Sequence, residues 1–518
     1  MTALNLGPTP VPVLVVGAGI MGLGIAQVAA QAGHTVLLFD MRAGVAAEAR
    51  DKLGTSLQAM VAKRKFTSDD VAKILSLIVP IVALEEAASA GLVVEAIVEK
   101  LEAKRGLFQQ LERIVAPDCI LATNTSSISV TAIANGLQHP TRLVGMHFFN
   151  PVPMMKLVEV VSGLQTAPAV AEAIFTLSER WGKSAVHARS TPGFIVNRIA
   201  RPFYAEALAL LQEQAATPVA LDACLRAAGF RMGPCELMDL IGHDTNFAVT
   251  QSVYEANFFD KRYVPSLVQR EMVDGGMLGR KSGQGFYSYA SVASGPVVSP
   301  RANAVLPTVK DVCLHGTGAL ADALQAALLH AIESSLVNSS LVRATVQYAP
   351  DSDWVGLEVA GCQLRLTDGR CATQLGKEVC VFDLPVLTQS SRAVTANSVL
   401  AWAPSGRASS AWAKQAPQWL EAMGFIPQQV ADTPGLVVAR TIAMLVNEAA
   451  DAVHQGVCSA PAADAAMKLG VNYPAGPFEW LATWGSAPVC ALLDVLDTQY
   501  RGERYRVSPG LRHSLWKN

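Results

Sequence analysis

The chain has 518 residues, of which 51% are hydrophobic and 16% are charged, and its formal net charge is −2 at pH 7. This length exceeds what one hydrophobic core usually serves, so several domains are expected. The near-neutral charge argues against a nucleic-acid or membrane partner, and no apolar run approaches the roughly 18 residues of a membrane span. The N-terminus lacks the basic start and apolar core of a signal peptide, so we expect a cytoplasmic protein.

Nine cysteines are scattered along the chain without a C-x-x-C pair. An odd number of isolated cysteines is typical of reduced, mostly buried thiols rather than of disulfides or zinc ligands. We therefore expect neither disulfides nor a metal site.

The stretch 11–26 predicts a buried strand that runs through a glycine turn into a helix. Gly17, Gly19 and Gly22 have G-x-G-x-x-G spacing, in which the glycines allow a tight turn, a close pyrophosphate and close helix–strand packing, respectively. The helix N-terminus offers further N–H groups to phosphates. A second predicted strand ends at Asp40, about 20 residues after the fingerprint, as a ribose-binding carboxylate requires. The pattern predicts a Rossmann domain that binds NAD, because a carboxylate would repel the 2′-phosphate of NADP.

Polar side chains follow the next predicted strands in chain order. Glu99 comes after the strand 92–98, the polar loop 124–127 comes after the strand 119–123, and His147 ends a further strand. In open α/β sheets ligands gather at the carboxyl ends of the strands. We therefore expect these groups to converge on one site.

Glu159 interrupts the apolar strand 155–161, where an isolated buried carboxylate is costly unless it is paired. His147 is the expected partner. Each residue alone is more simply explained as structural, His147 as a core histidine bonded to a backbone carbonyl and Glu159 as an exposed strand residue. Together in one Rossmann-type sheet they predict a general base and the group that orients it.

After residue 193 alanine- and leucine-rich helices replace the strand–helix alternation, with helices expected at 194–214 and 219–228. A hydroxyl residue of the segment 190–193 is expected to cap the first of them. Asn197 lies in the apolar first turns of this helix, where an amide needs a partner, and alone it favours an interhelical hydrogen bond. The basic cluster Lys63–Lys65 is explained either as a solvated helix face or as a clamp for phosphates outside the NAD site.

These residues resemble the L-3-hydroxyacyl-CoA dehydrogenase family, including its 3-hydroxybutyryl-CoA dehydrogenases, over residues 11–290. The motifs that carry the resemblance are the glycine fingerprint with Asp40, EAIVE at 95–99, NTSS at 124–127, HFFNPVP at 147–153, MKLVE at 155–159, TPGFIVNR at 191–198 and GRKSG at 279–283.

The resemblance implies NAD-dependent oxidation of a (3S)-3-hydroxyacyl-CoA to the 3-oxoacyl-CoA, with hydride transfer from C3 to the nicotinamide. The implied catalytic pair is His147 as general base with Glu159. The other implied residues are Ser126 and Asn197 for substrate contact and catalysis, Asp40, Glu99, Lys104 and Asn150 beside the glycines for NAD, and Ser56 and Lys63 for CoA.

The second half of the chain repeats the first. TPGLVVAR at 433–440 matches TPGFIVNR at 191–198, Glu448 matches Glu206, and GPFE at 476–479 matches GPCE at 233–236. The stretch 312–321 resembles the glycine fingerprint in G-x-G-x-x-A form. Ala439 stands where Asn197 stands in the first copy, and no HFFNP segment recurs, so we expect residues 308–518 to be structural and the two helical domains to pack as a pseudo-dimer.

The expected fold is therefore an α/β Rossmann-type NAD-binding domain followed by an all-α domain, with a degenerate duplication of both. The expected boundaries are 11–190 for the NAD-binding domain, 191–289 for the helical substrate and dimerisation domain, 290–307 for a linker, 308–430 for a truncated Rossmann-like domain and 431–518 for the second helical domain. This duplicated long form is similar to the dehydrogenases of phenylacetate catabolism.

Several alternatives stay open at this point. A CoA-independent 3-hydroxy acid dehydrogenase and a non-catalytic NAD-binding protein are the rivals, whereas a multifunctional β-oxidation enzyme is disfavoured because no hydratase-like segment is present. The acyl-chain length is open, as is the choice among fatty-acid oxidation, short-chain acid or polyester metabolism, and aromatic-acid degradation. So is the choice between a monomer with an internal pseudo-dimer and a homodimer.

Overall fold

The structure, a computed structural model, describes residues 11–289, 311–338, 345–386 and 397–517. The expected linker at 290–307 and the first residues of the expected truncated domain lie outside the described residues. Among the helices within the described ranges, none is long and apolar enough to cross a membrane.

Strands and helices are numbered here in chain order over the described residues. The strands are β1 (Val13–Val16), β2 (Val36–Phe39), β3 (Ile78–Pro80), β4 (Leu92–Glu95), β5 (Ile120–Thr123), β6 (Leu143–Phe148), β7 (Leu157–Ser162), β8 (Ser184–Arg189), β9 (Asp311–His315), β10 (Thr345–Ala349), β11 (Gly356–Val359), β12 (Cys362–Leu366), β13 (Val379–Phe382), β14 (Ser398–Pro404) and β15 (Phe425–Gln429). The helices are α1 (Ile20–Gln31), α2 (Val45–Ala62), α3 (Ser68–Leu77), α4 (Leu101–Leu111), α5 (Val130–Ala134), α6 (Pro168–Arg180), α7 (Val196–Ile199), α8 (Arg201–Gln212), α9 (Pro218–Ala227), α10 (Pro234–Ile241), α11 (His243–Ala256), α12 (Leu267–Asp274), α13 (Ala319–Asn338), α14 (Ala372–Leu375), α15 (Ser410–Ala422), α16 (Val438–His454), α17 (Ala460–Gly470), α18 (Pro477–Trp484), α19 (Ser486–Tyr500) and α20 (Pro509–Lys517).

The chain forms two compact units, and the first contains residues 11–199 together with 452–476. Its eight-stranded sheet has the order β3-β2-β1-β4-β5-β6-β7-β8, and all neighbouring pairs are parallel except β6 and β7. The central strands β1, β4 and β5 are buried along their whole length, which explains their nearly unbroken apolar sequences. This is the Rossmann-type sheet that the sequence predicts.

The register of this sheet decides which polar groups meet. The parallel strands β1 and β2 bring the glycine turn and Asp40 to the same edge. The antiparallel pairing of β6 with β7 places His147 directly opposite Glu159. Opposite residues of an antiparallel pair have their side chains on the same face, so the register itself brings the imidazole to the carboxylate.

The helix expected at 194–214 is divided in the structure. The short α7 ends at Ile199 and α8 begins at Arg201, with Pro202 in its first turn. Proline has no N–H to continue a helical hydrogen-bond ladder, and it is tolerated only in a first turn. The prediction of one continuous helix was therefore wrong at Pro202.

The second compact unit contains residues 200–451 and 477–517 within the described ranges. Its seven-stranded sheet has the order β10-β9-β11-β12-β13-β14-β15. The strands β9 and β10 are parallel, whereas β11 is antiparallel to both of its neighbours. The fingerprint-like stretch does run from a strand into a helix, β9 into α13, but the sheet that follows is mixed rather than doubly wound.

Within this unit the two helical copies are joined by reciprocal ion pairs and hydrogen bonds. Glu206 on α8 of the first copy accepts from Arg504 and Tyr505 of the second, at 2.9 and 3.0 Å. Conversely, Glu448 on α16 of the second copy accepts from Tyr263 of the first at 2.6 Å, and Arg262 lies 3.5 Å from it. Because each copy supplies the same residue types to the other, the duplicated helices pack as two related halves.

Candidate active site

The glycine turn has the geometry of a dinucleotide cradle. A side chain on Gly17, whose φ is +103°, would lie 2.5 Å from the carbonyl oxygen of Ala96, and one on Gly22 would lie 1.8 Å from the carbonyl oxygen of Gly17. At Gly19 a Cβ would meet no atom within 4 Å. The first and third glycines therefore allow close backbone packing, and the space above Gly19 suits an approaching pyrophosphate.

Asp40 lies at the carboxyl end of β2, beside this turn. Its carboxylate accepts the backbone N–H of Ala18 at 3.1 Å and the side chain of Arg42 at 3.1 Å. Burial opposes ionisation, but the hydrogen bonds from Arg42 and Ala18 outweigh it, so the pKa of Asp40 is lowered. The residue is an ionised acceptor at neutral pH, as hydrogen bonding to ribose hydroxyls requires.

A cluster of ion pairs, buried at Lys104 and Glu95 and exposed at Glu99, lies at the carboxyl ends of β4 and β5. The ammonium of Lys104 on α4 lies 2.7 Å from Glu95 and 3.0 Å from Glu99. Glu99 in turn accepts from the hydroxyl of Thr125 at 2.6 Å and from the backbone N–H of Ser126 at 2.9 Å. Burial raises the pKa of Glu99, but Lys104 and these hydrogen bonds lower it by more. Glu99 thus orders the loop that carries Ser126, and Lys104 holds Glu99 in place.

His147 and Glu159 form a buried pair on the facing strands β6 and β7. The imidazole Nδ1 lies 2.5 Å from Oε2 of Glu159, and both side chains are at least nine-tenths buried. Two rings flank the imidazole, with the centroid of Phe149 at 4.5 Å and that of Phe194 at 5.8 Å. The arrangement fixes the orientation of the imidazole ring.

The second oxygen of Glu159 binds the beginning of α7. Its Oε1 accepts the backbone N–H groups of Ile195 and Val196 at 3.0 and 2.9 Å. The expected hydroxyl cap is therefore wrong: Ser190 instead accepts the N–H of Val130 at the start of α5. A carboxylate is favoured at a helix N-terminus, where unpaired N–H groups point outward.

Asn197 follows directly in α7 and is brought to the loop of Ser126. Its amide donates to the backbone carbonyl of Ser126 at 3.4 Å, so the interhelical hydrogen bond considered for it is replaced by a bond to a loop. The hydroxyl of Ser126 lies 3.3 Å from Glu99. Asn150 is exposed in the loop that follows β6.

The two residues expected to contact CoA lie apart from these groups in the first unit. Ser56 on α2 and Lys63 at its end are both exposed. They are seven residues apart, which is two helical turns, so they share one face of α2.

Three positioning residues were not identified from the sequence. Glu95 accepts from Lys104 and from Thr123, and Asn124 accepts the backbone N–H of Phe148 at 2.8 Å. Lys183 is buried and donates to carbonyls of the loop between β6 and β7. Glu95 carried a signal, since it ends the apolar stretch LVVE as Glu159 interrupts its own strand. Asn124 belongs to the polar loop 124–127 that the sequence placed at the site, although its own role was not predicted, and Lys183 carried no signal.

The second half reproduces the helix-binding carboxylate but not the whole site. Asp383, which follows β13, accepts the backbone N–H groups of Val437, Val438 and Ala439 at the start of α16. These residues match 195–197 of the first copy. Asp383 thus occupies the structural role of Glu159, whereas Ala439 provides no amide side chain.

Models of known protein families match most of the chain. Residues 12–191 match the family model of the 3-hydroxyacyl-CoA dehydrogenase NAD binding domain, and residues 193–289 and 435–516 match the model of the C-terminal domain of the same family. Residues 364–434 match the 3-hydroxybutyryl-CoA dehydrogenase reduced Rossmann-fold domain.

Relatives match at both full and half length. The chain is 41% identical over 504 residues to the 3-hydroxyadipyl-CoA dehydrogenase of Escherichia coli K12, covering 96% of each protein. It is 41% identical to the mitochondrial hydroxyacyl-coenzyme A dehydrogenase of Rattus norvegicus, over 54% of this chain and 90% of the relative. A crystal structure of 3-hydroxybutyryl-CoA dehydrogenase from Escherichia coli K12 matches with a TM-score of 0.85 and 39% identity, over 98% of this chain and 99% of that one.

Proposed function

The chain belongs to the 3-hydroxyacyl-CoA dehydrogenase family and uses NAD, and we propose that it oxidises a (3S)-3-hydroxyacyl-CoA with His147 as general base and Glu159 as its orienting partner. The observation that supports this proposal is the buried pair itself, with 2.5 Å between Nδ1 and Oε2. A base must be held in one orientation to take a proton efficiently, and Glu159 holds the ring.

The pairing assigns different tasks to the two ring nitrogens. With a carboxylate at Nδ1, the neutral imidazole carries its proton there and leaves Nε2 free to accept the proton of the 3-hydroxyl group. Glu159 stabilises the imidazolium that results. Its second oxygen remains bound to the N–H groups of α7, so the carboxylate does not move as the charge develops.

The glycine turn and Asp40 would hold NAD, which supplies the hydride acceptor for oxidation at C3. Glu99 and Lys104 support the loop after β5, and Asn150 lies in the loop after β6. We propose that Ser126 and Asn197 donate hydrogen bonds to the hydroxyl or thioester oxygen of the substrate. Ser56 and Lys63 are proposed to contact the CoA portion from the exposed face of α2.

The names of the relatives define two acyl groups to compare. The full-length relative is named for 3-hydroxyadipyl-CoA and the matching crystal structure for 3-hydroxybutyryl-CoA. We propose a CoA thioester of one of these two kinds as the substrate, and assays with 3-oxoadipyl-CoA and acetoacetyl-CoA compare them in the reduction direction.

We also propose the division into domains at 11–190, 191–289, 308–430 and 431–518, with 290–307 as linker, and a monomeric chain with an internal pseudo-dimer. The reciprocal contacts of Glu206 and Glu448 support the internal pseudo-dimer. Light scattering coupled to size-exclusion chromatography tests it: the mass of one chain is expected, and the mass of two would contradict it.

The decisive experiment is NADH-dependent reduction of acetoacetyl-CoA by the wild type and by His147→Gln. Loss of the general base is expected to lower kcat by about 10²–10⁴ while NADH binding persists. His187→Gln, which changes an exposed histidine of β8, is the matched control and should keep full activity.

Free acetoacetate distinguishes the remaining alternatives. Equal activity on free acetoacetate would support the CoA-independent 3-hydroxy acid dehydrogenase. A wild type that binds NADH but reduces neither compound nor 3-oxoadipyl-CoA would support a non-catalytic NAD-binding protein, and an active His147→Gln variant would refute the proposed base.

A further inference from the structure

A segment of the second half belongs to the same compact unit as the candidate active site. Residues 452–476 lie with residues 11–199, and α17 packs against β7, β8 and α7. The segment is also hydrogen-bonded there: the backbone N–H of Arg189 donates to the carbonyl of Val457 at 2.9 Å, and Arg198 donates to Gln455 at 2.9 Å. The strand that carries Glu159 is therefore covered by a helix from the other half of the duplication.

The contact is tightest at Gly470, the last residue of α17. A Cβ on Gly470 would lie 2.7 Å from Leu157, 3.0 Å from Val196 and 3.8 Å from Phe149. The first of these distances is shorter than ordinary Cβ contacts, so a larger residue would have to displace its neighbours. The three atoms are ends of side chains, so a residue larger than glycine would be accommodated only if Leu157, Val196 and Phe149 shifted.

Each of these three neighbours lies next to a member of the proposed catalytic pair or on the same strand face. Leu157 is two residues before Glu159 on β7, so the two side chains are on the same face of the strand. The backbone N–H of Val196 donates to Glu159. The ring of Phe149 packs against His147 at 4.5 Å. A side chain at position 470 would therefore displace residues that adjoin both members of the pair.

Building on the function proposed above, we propose that α17 of the second half is a positioning element for the active site of the first, and that Gly470 is its positioning residue. The second copy does more than stabilise the chain. It supplies the surface that holds Leu157, Val196 and Phe149 where His147 and Glu159 require them. A side chain at 470 is expected to lower kcat through the proton transfer at His147 more than it weakens binding of NADH at the glycine turn.

The duplication provides a matched control. Alignment of the two TPG motifs places Ala228, at the end of α9, where Gly470 stands at the end of α17. In the second unit α9 packs against β14, and Ala228 lines a small cavity with Leu384 and Val438. Enlarging Ala228 therefore perturbs the equivalent helix–sheet contact in the compact unit that lacks the candidate site.

The experiment compares Gly470→Ala, Gly470→Leu and Ala228→Leu in the full-length enzyme. We measure kcat and KM for acetoacetyl-CoA, the dissociation constant of NADH by fluorescence, and Tm. Gly470→Leu is expected to lower kcat at least tenfold with the NADH dissociation constant within twofold of wild type, and Gly470→Ala is expected to lower it less. Adding Leu157→Ala to Gly470→Leu makes room for the new side chain and should recover part of kcat. Ala228→Leu is expected to keep kcat within twofold.

Two results would overturn the proposal: kcat within twofold of wild type in the folded Gly470 variants, or an equal loss in Ala228→Leu at a similar Tm. If Gly470→Leu does not fold, the smaller Gly470→Ala variant decides the question by the same criterion. An inactive His147→Gln variant beside unaffected Gly470 variants would refute the positioning role alone. An active His147→Gln variant would refute the proposed base itself.

Discussion

Two buried carboxylates of the first unit, Glu159 and Glu95, are each held by more than one partner. Glu159 binds His147 through one oxygen and the start of α7 through the other, and Glu95 accepts from Lys104, Thr123 and the backbone N–H of Ile97. A buried carboxylate is tolerated only when its desolvation is offset in this way. At the residue scale, the protein's own hydrogen bonds therefore hold these side chains of the site in position.

Substitution by alanine is expected to have different effects at two glycines of the cradle. Gly19→Ala should fold normally, because its φ is −71° and a Cβ there meets no atom, but it should weaken NADH binding at least tenfold by filling the space above the turn. Gly22→Ala should instead lower the free energy of unfolding by about 1–3 kcal/mol or more, because its Cβ would overlap the carbonyl oxygen of Gly17.

Urea unfolding and NADH fluorescence titration measure these two effects separately. Wild-type NADH affinity in Gly19→Ala would show that the pyrophosphate does not approach this glycine. An unchanged free energy of unfolding in Gly22→Ala would contradict the close packing of α1 on the turn.

The elements around the proposed catalytic pair are held by polar groups at their ends. The loop between β6 and β7 connects the strand of His147 to the strand of Glu159. The buried ammonium of Lys183 donates to the carbonyls of Val152 and Met155 in this loop. Burial, with a smaller effect of the nearby Lys156 charge, lowers the pKa of Lys183 to about 8. At the element scale, this one side chain fixes the shape of the loop at a cost in desolvation.

The lowered pKa of Lys183 predicts how stability changes with pH. Below pH 8 the ammonium is charged in both folded and unfolded chains, so its desolvation cost is fully present. Between about pH 8 and the ordinary lysine pKa of about 10.4 the folded chain binds fewer protons than the unfolded chain, so stability contributed by this residue rises with pH.

The difference in free energy of unfolding between wild type and Lys183→Met should accordingly shift in favour of wild type by about 2 kcal/mol from pH 7 to pH 10. Urea unfolding at several pH values measures it, and the Met variant serves as the reference that does not titrate. A difference that stays constant over this range would contradict the lowered pKa.

Contacts between the two helical copies of the duplication stabilise the second unit. In the second unit, Glu206 is fully buried and lies between Arg440 and Arg504. Burial raises the pKa of Glu206, but the two guanidinium groups lower it by more, so the net pKa is lowered. The partners come from the second helical copy, and the matching residue Glu448 receives Tyr263 and Arg262 from the first. The two copies therefore stabilise one another through contacts that a symmetric dimer would make between chains.

Removing the charge of Glu206 should destabilise this unit strongly. Glu206→Gln leaves the buried guanidinium of Arg440 and the partly exposed one of Arg504 without their shared carboxylate, and it should lower the free energy of unfolding by about 3–5 kcal/mol. Glu213→Gln is the control, because Glu213 contacts Arg440 from a more exposed position, and its loss should be about 1 kcal/mol or less. Equal losses in the two variants, measured by urea unfolding, would contradict the assignment of Glu206 as the central residue.

The sequence by itself determined the Rossmann-type sheet, the cradle and the duplication, because each is written in local spacing: three glycines, an acid at a strand end, and repeated TPG and GPxE motifs. It also predicted the partnership of His147 and Glu159, since a carboxylate in an apolar strand demands a partner. The roles assigned to these residues remain proposals.

Only the tertiary structure decided which residues far apart in the sequence are in contact. The second oxygen of Glu159 is used by the start of α7, the loop between β6 and β7 is held by Lys183, and α17 from the far end of the chain lies against β7 at Gly470. None of these contacts has a sequence signature, because each joins elements through backbone groups or through the absence of a side chain. Residue spacing along the sequence determines whether a segment forms a helix, strand or turn. The neighbours against which that segment packs are determined by the packing of the whole unit.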